Sequence, residues 1–200
     1  MRGGGNVAVG VRIVATSLSV LAMIVSAQAQ PVPRTAVTGV PPFELGAPIS
    51  TVLGANPALR VSTEPCEPQG QTKAYAGKVA APIGGYPYTA DVLLCFYQGS
   101  LASIRLTWPS SAFRASVEDW RSSTKALARQ LATSYAPALI KRTSIDDDFG
   151  GRIEIWDGEG NALTMVSNST DGDTLSITLW YVSASYNRAV HGQRPAVGPY

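Results

Sequence analysis

Apolar residues recur at spacings of three and four in one stretch of the chain and at spacings of two in several others. Val117, Trp120, Thr124, Leu127, Leu131 and Tyr135 fall on one side of a helix. The spacing predicts a long amphipathic helix at about 116–135. Ser116 precedes Asp119 by three residues, the form of a capping box with Asp in place of Glu or Gln. Pro137 ends the helix. A shorter helix is predicted at about 48–54, where Ile49, Val52 and Leu53 share a face, Pro48 suits the entry and Gly54 can terminate.

Period-two patterns predict strands at 59–63, 72–79, 89–97, 101–108, 139–145, 152–156, 162–166 and 174–182. In 101–108, Ile104, Leu106 and Trp108 lie opposite Ser103, Arg105 and Thr107; in 174–182, Leu175, Ile177, Leu179 and Tyr181 share one face. Gln98-Gly99-Ser100 reads as a three-residue turn of a bulged hairpin. Asp157–Asn161 and 168–173 carry hairpin turn chemistry.

The order is short helix, four strands, long helix, four strands. Strands joined by tight turns favour antiparallel pairing, because parallel neighbours need long crossovers. The expected fold is α+β: the two helices pack on antiparallel sheet in one domain at 43–183. The repeated order is open to a reading as two helix-plus-meander halves, without a residue-level match between them. Residues 30–42 read as a Pro-rich extended lead and 184–200 as a flexible C-terminal tail.

Composition narrows the function classes. The 200 residues are 45% apolar and 15% charged, enough for one cored domain and too apolar for a disordered chain. Met1 to Gln30 has no acidic residue; Arg2 and Arg12 precede the mostly apolar run 13–27, and Ala27-Gln28-Ala29 follows. Fifteen residues fall short of the roughly 20 a spanning helix needs, and match a secretory signal. Cleavage is expected after Ala29. Removing that segment takes two Arg and no acid from a chain of formal charge +2, so the remainder is neutral. A strongly basic nucleic-acid binder is excluded.

An exported chain meets an oxidising compartment. Cys66 and Cys95 are the two cysteines, so one intramolecular disulfide is expected, joining a Pro-flanked polar stretch to an apolar strand. No Cys-x-x-Cys spacing points to redox work.

Candidate chemistry is sparse. Tyr86-Pro87-Tyr88 in a Gly-rich loop is a candidate contact surface, because loop aromatics have less core to enter. Arg121, Lys125 and Arg129, four apart, form a cationic stripe that suits either a solvated helix face or an anionic partner. Asp146-Asp147-Asp148 with Glu154 is the densest carboxylate set; general acid–base work would need it to converge in a shaped pocket. Asp157, Glu159 and Asn161 alternate like the start of a calcium loop, but the sixth position is Ala162 and the twelfth Asn168. The single histidine, His191, sits in the tail with no partner for a nucleophile pair. No cofactor motif or zinc spacing is present, and no cofactor is expected.

Phe43-Glu44-Leu45-Gly46-Ala47-Pro48-Ile49-Ser50-Thr51-Val52-Leu53-Gly54 resembles the opening helix of the outer-membrane assembly lipoproteins of the SmpA/OmlA type and of secreted β-lactamase inhibitor proteins. The likeness spans about a dozen residues, with a shorter interval from Gly46 to Gly54 and no lipoprotein cysteine. It implies an envelope setting and antiparallel strands, and no functional residue carries over.

The expected role is a periplasmic or secreted, non-catalytic binding module for an envelope protein or cell-wall component, without nucleic acid and without a membrane-spanning segment in the mature chain. The alternative is a small carboxylate-dependent hydrolase acting on an envelope substrate. Mass spectrometry of the exported fraction should show a chain beginning at Gln30; an intact Met1 terminus there would defeat the export reading.

Overall fold

The computed structural model describes residues 33–114, 116–146, 150–170 and 174–192. The predicted signal and cleavage point, Asp147, Asp148 and the last eight residues lie outside them. In chain order the elements are β1 (Gly39–Val40), β2 (Phe43–Glu44), α1 (Ile49–Ala55), β3 (Arg60–Val61), β4 (Thr72–Ala80), β5 (Thr89–Tyr97), β6 (Ser100–Trp108), α2 (Val117–Ser134), β7 (Ile140–Asp146), β8 (Gly150–Trp156), β9 (Ala162–Thr170), β10 (Thr174–Val182) and α3 (Ala184–His191). β1 and β2 form a small pair of their own. The other eight strands make one antiparallel sheet in the order β3-β4-β5-β6-β10-β9-β8-β7.

Two four-strand meanders thus meet where β6 pairs with β10. Leu106 opposes Leu179, Ile104 opposes Tyr181 and Trp108 opposes Ile177 on one face of this seam. Those side chains join Val92, Leu94, Phe96, Leu163, Met165, Ile153 and Ile155 in the main core. Helix α2 covers that face with Trp120, Leu127 and Leu131. Its N-cap forms as the capping pattern requires: Ser116 Oγ accepts from the Asp119 amide at 3.2 Å. The indole N–H groups of Trp108 and Trp120 donate to the carbonyls of Ala81 and Ser176, so neither leaves a buried donor unpaired.

Three details differ from the sequence expectation. The β5–β6 connection is a two-residue turn, Gln98-Gly99, with φ of 53° and 82°. Positive φ at both central residues matches the right-handed twist of the flanking strands, and Gly99 adopts it without strain. The irregularity lies inside the hairpin, where Cys95 opposes Ser103 but Phe96 opposes Leu101, leaving Ala102 as the extra residue.

The segment read as a lead is packed. Val37 is fully buried, and the backbone of Arg34 bonds Ser134 and Ala136 at 2.7 and 2.9 Å beside the end of α2. Its proline content hid one anchoring valine.

The segment read as a free tail begins with α3. Ser183 caps it by accepting from the Tyr186 amide at 3.3 Å, and Tyr186 and Asn187 are buried. A helix of eight residues spans little more than two turns, too short for its apolar positions to repeat as a stripe.

The β8–β9 turn ties these pieces together. The Asp157 carboxylate accepts from the amides of Val37 (2.9 Å), Glu159 (3.0 Å) and Asn161 (2.9 Å) and from Asn161 Nδ2 (2.9 Å). Asn161 Oδ1 then accepts from the Ala184 amide, the first residue of α3, at 2.9 Å. Burial alone would raise the Asp157 carboxyl, but the Val37, Asn161 and Glu159 donors hold it below its ordinary value near 3.8.

A depressed folded value means that this stabilisation is complete above the unfolded value and is lost as pH falls through the folded one. Asp157→Ala should cost about 3 kcal/mol at neutral pH, read from urea midpoints. Its stability should also fall less steeply than the wild type's below about pH 4. Identical midpoints would remove Asp157 as the tie.

Candidate functional site

Alternation along the strands sends one set of side chains toward α2 and the other to the opposite face. On that opposite face Trp180 of β10 stands between Arg105 of β6 and Thr164 of β9. In the next row Trp156 of β8 lies opposite Ala162. Both indoles are half-buried. Together with Leu93 and Val182 they floor a cleft of about 250 Å³. Trp180 Nε1 donates to Ser103 Oγ at 2.6 Å across the seam, which fixes the ring.

Two walls close the cleft. The first is the stretch carrying Cys66. The Cys66–Cys95 disulfide, with S–S 2.00 Å and Cα–Cα 5.9 Å, pins this stretch to β5. Thr72 Oγ1 donates to the Cys66 carbonyl at 2.7 Å, and Arg105 pairs with Glu64. The second wall is α3, which turns Tyr186, Asn187, Val190 and His191 toward the space, positions spaced as one helical face. Helix α3 is held at its start by the Asn161 bond and by the Ser183 amide, which donates to the Ala102 carbonyl at 2.8 Å. The bulge residue of β6 thus seats α3. Tyr186 stacks edge-on with Tyr97 at 6.2 Å and shares a second small core with Cys66, Leu93, Cys95 and Ala102.

The electrostatics are balanced. Arg105 is neutralised by Glu64, and Glu67 on the first wall is exposed. Burial, and then the Glu67 charge, push the Tyr186 hydroxyl up to about 12, against a weaker opposing effect of the Glu67 amide. It is therefore a neutral hydroxyl at physiological pH. His191 stands exposed at the rim.

The remaining sequence candidates are spread over the molecule. Tyr86 is 62% exposed, whereas Tyr88 packs edge-on against Phe113 at 5.5 Å and its hydroxyl accepts from Ser123 Oγ at 3.2 Å. Their loop is anchored by the fully buried Ile83 and folds back through two Ile83–Tyr86 backbone bonds of 3.1 and 2.9 Å. The hollow beside them, about 370 Å³, is bordered by Ser111, Arg114 and Asp119. It has one exposed aromatic and no covalently fixed wall, so the tryptophan cleft is the stronger candidate. Arg121 and Lys125 are half-buried along a crevice with Ile145 and Asp146 of β7, while Arg129 is exposed a turn further on. The stripe therefore does not present its three cations as one open patch.

Asp146 opposes Gly150, and Glu154 lies four residues along β8, about 13 Å away at strand rise. Glu154 accepts from Arg152 Nε at 2.6 Å. Those two carboxylates do not converge. The Asp157 oxygens are occupied by amide donors instead of facing a common point with Glu159, and among the described residues no group of His, Cys, Asp or Glu is placed to hold a metal ion. Among the described residues no helix is long and apolar enough to cross a membrane.

Comparison with protein-family models, with curated proteins and with solved structures found no match, so the likeness of 43–54 to envelope proteins gains no support from them.

Trp156 and Trp180 were not among the sequence candidates. The signal that separates them was present: Trp180 falls on the opposite parity to Leu175, Ile177, Leu179 and Tyr181. A large aromatic on the polar face of an alternating strand marks a surface site or a second core.

The disulfide closes a loop of 30 residues and should contribute about 3 kcal/mol. Replacing both cysteines by Ala should lower Tm by about 6–12 °C for a domain of this size. Tryptophan emission should also shift to the red as the first wall loosens. An unchanged Tm would remove the bond from the account of the cleft.

Proposed function

We propose that the protein is an exported, non-catalytic binding module whose ligand enters the Trp156–Trp180 cleft. The observation that carries this reading is a concavity with an aromatic floor whose walls are already locked by a disulfide, an ion pair and a capped helix. Such preorganisation leaves little ordering cost at the moment of binding. A few polar groups around an apolar floor is the usual build of a small-molecule site. The cleft supplies no nucleophile with an adjacent base: Ser103 is committed to Trp180, and His191 stands at the rim.

The disulfide supports export, because such bonds persist in oxidising compartments. The address is the segment before Gln30, and the partner is an envelope component. On this reading the two helix-plus-meander halves meet at β6 and β10, and the cleft straddles their junction.

A panel of small ring compounds, scored by amide and indole N–H resonances of the isotope-labelled protein, tests the site. Hits should gather on Trp156, Trp180 and α3 and should vanish in Thr164→Arg, which fills the cleft from β9. Hits gathering at Tyr86 and Tyr88, or none in the cleft, would overturn the assignment.

A further inference from the structure

The distribution of polar groups around the tryptophans narrows the ligand class. Polar side chains come from three sides: Arg105 and Thr164 from the sheet, Glu67 from the disulfide-bearing stretch, Asn187 and His191 from α3. A ligand that is apolar throughout would leave these groups facing nothing when it expelled their water, and each group so stranded disfavours binding. An anionic ligand finds no uncompensated cation, since Arg105 is paired with Glu64, and a cationic one finds Glu67, whose exposed carboxylate is screened by solvent and adds little. What fits is a small ring that is uncharged, apolar on one flat side and hydroxylated around its edge.

The negatively polarised face of an indole attracts the positively polarised C–H groups on the flat side of a sugar ring. Carboxylate, guanidinium and carboxamide groups suit vicinal hydroxyls, because each can donate or accept two bonds at once. We infer that the cleft binds a single neutral saccharide ring against Trp156 and Trp180, with its hydroxyl edge turned to Glu67, Arg105 and Asn187. The inference rests on the cleft being the binding site. Its size limits recognition to one ring, either free or as the exposed end of a glycan. The tryptophans set the affinity and the polar rim sets the selectivity among rings.

The test is titration of the disulfide-bonded protein with methyl glucoside and N-acetylglucosamine as neutral rings, glucuronate and glucosamine as charged ones, and indole as an apolar one. The readout is the indole N–H resonances of Trp156 and Trp180. The neutral sugars should move both resonances saturably, with Kd on the order of 1 mM, and the charged rings should bind at least about tenfold more weakly. Trp156→Leu should abolish the effect. Because a tryptophan change could disturb the fold, Glu67→Ala, at an exposed position, provides a second check. It should weaken the neutral sugars about tenfold with an unchanged amide spectrum elsewhere. Binding of indole with no response to any sugar would overturn the saccharide while leaving the cleft as a ligand site. No response to any of the five would overturn both.

Discussion

The pairing of β6 with β10 is the contact on which the rest of the molecule depends. Among the described residues it is the single strand pairing between the two meanders, and it brings residues 100–108 beside residues 174–182. One face of the seam is apolar, with Ile104, Leu106 and Trp108 meeting Ile177, Leu179 and Tyr181, and this face makes a core large enough for α2 to cover. The other face is mixed, with Arg105 beside Trp180 and the hydroxyls of Thr107 and Thr178 3.4 Å apart. A one-residue slip would exchange the two faces, burying Arg105 under α2 and exposing Leu106. Register at this seam therefore sets the core and the cleft together.

What the sequence discloses depends on how local the cause is. Helix α2 was legible because cap, stripe and terminator all lie within about twenty residues. The strands were legible by alternation and by the turns between them. The order in which strands join was not, because nothing local says that β10 returns to β6 and leaves β7 at the far edge. Helix α3 was missed for a related reason. Its buried surface is two residues, Tyr186 and Asn187, packed near a disulfide that is remote in sequence. Ser183 at its start and Gly192 just beyond its end, with φ of 70°, were the available marks. The cleft inherits this blindness, since one wall is α3 and the other is held by a bond across 29 positions.

The disulfide stands where noncovalent forces are weakest. The stretch from Ser62 to Gln71 has no large apolar side chain and contains Pro65 and Pro68. It can bury little against the sheet, and Cys66 is its one buried residue. A covalent bond to β5 substitutes for the missing hydrophobic anchor. The Arg105–Glu64 pair adds orientation more than energy, because both side chains are well exposed and solvent screens them. Asp157 serves the opposite wall by a different means: amide donors from the N-terminal segment and its own turn converge on one carboxylate, and Asn161 passes the constraint on to α3.

Another cavity, about 240 Å³, lies on the helix side between α2, the β1–β2 pair and the sheet. Its volume is close to that of the tryptophan cleft, so volume does not decide between them. The lining does. Around the helix-side space stand Phe43, Leu106, Trp108, Leu127, Leu131 and Leu179, all nearly fully buried. Trp108 there has already spent its N–H on a carbonyl. That space can offer dispersion and little orientation, which suits a packing gap under a helix. On the other face the seam exposes two indoles among side chains from three separate elements, fixed by bonds that do not involve a guest. Selective recognition requires polar groups held in place before the ligand arrives, and of the two cavities the open face of the sheet meets that condition.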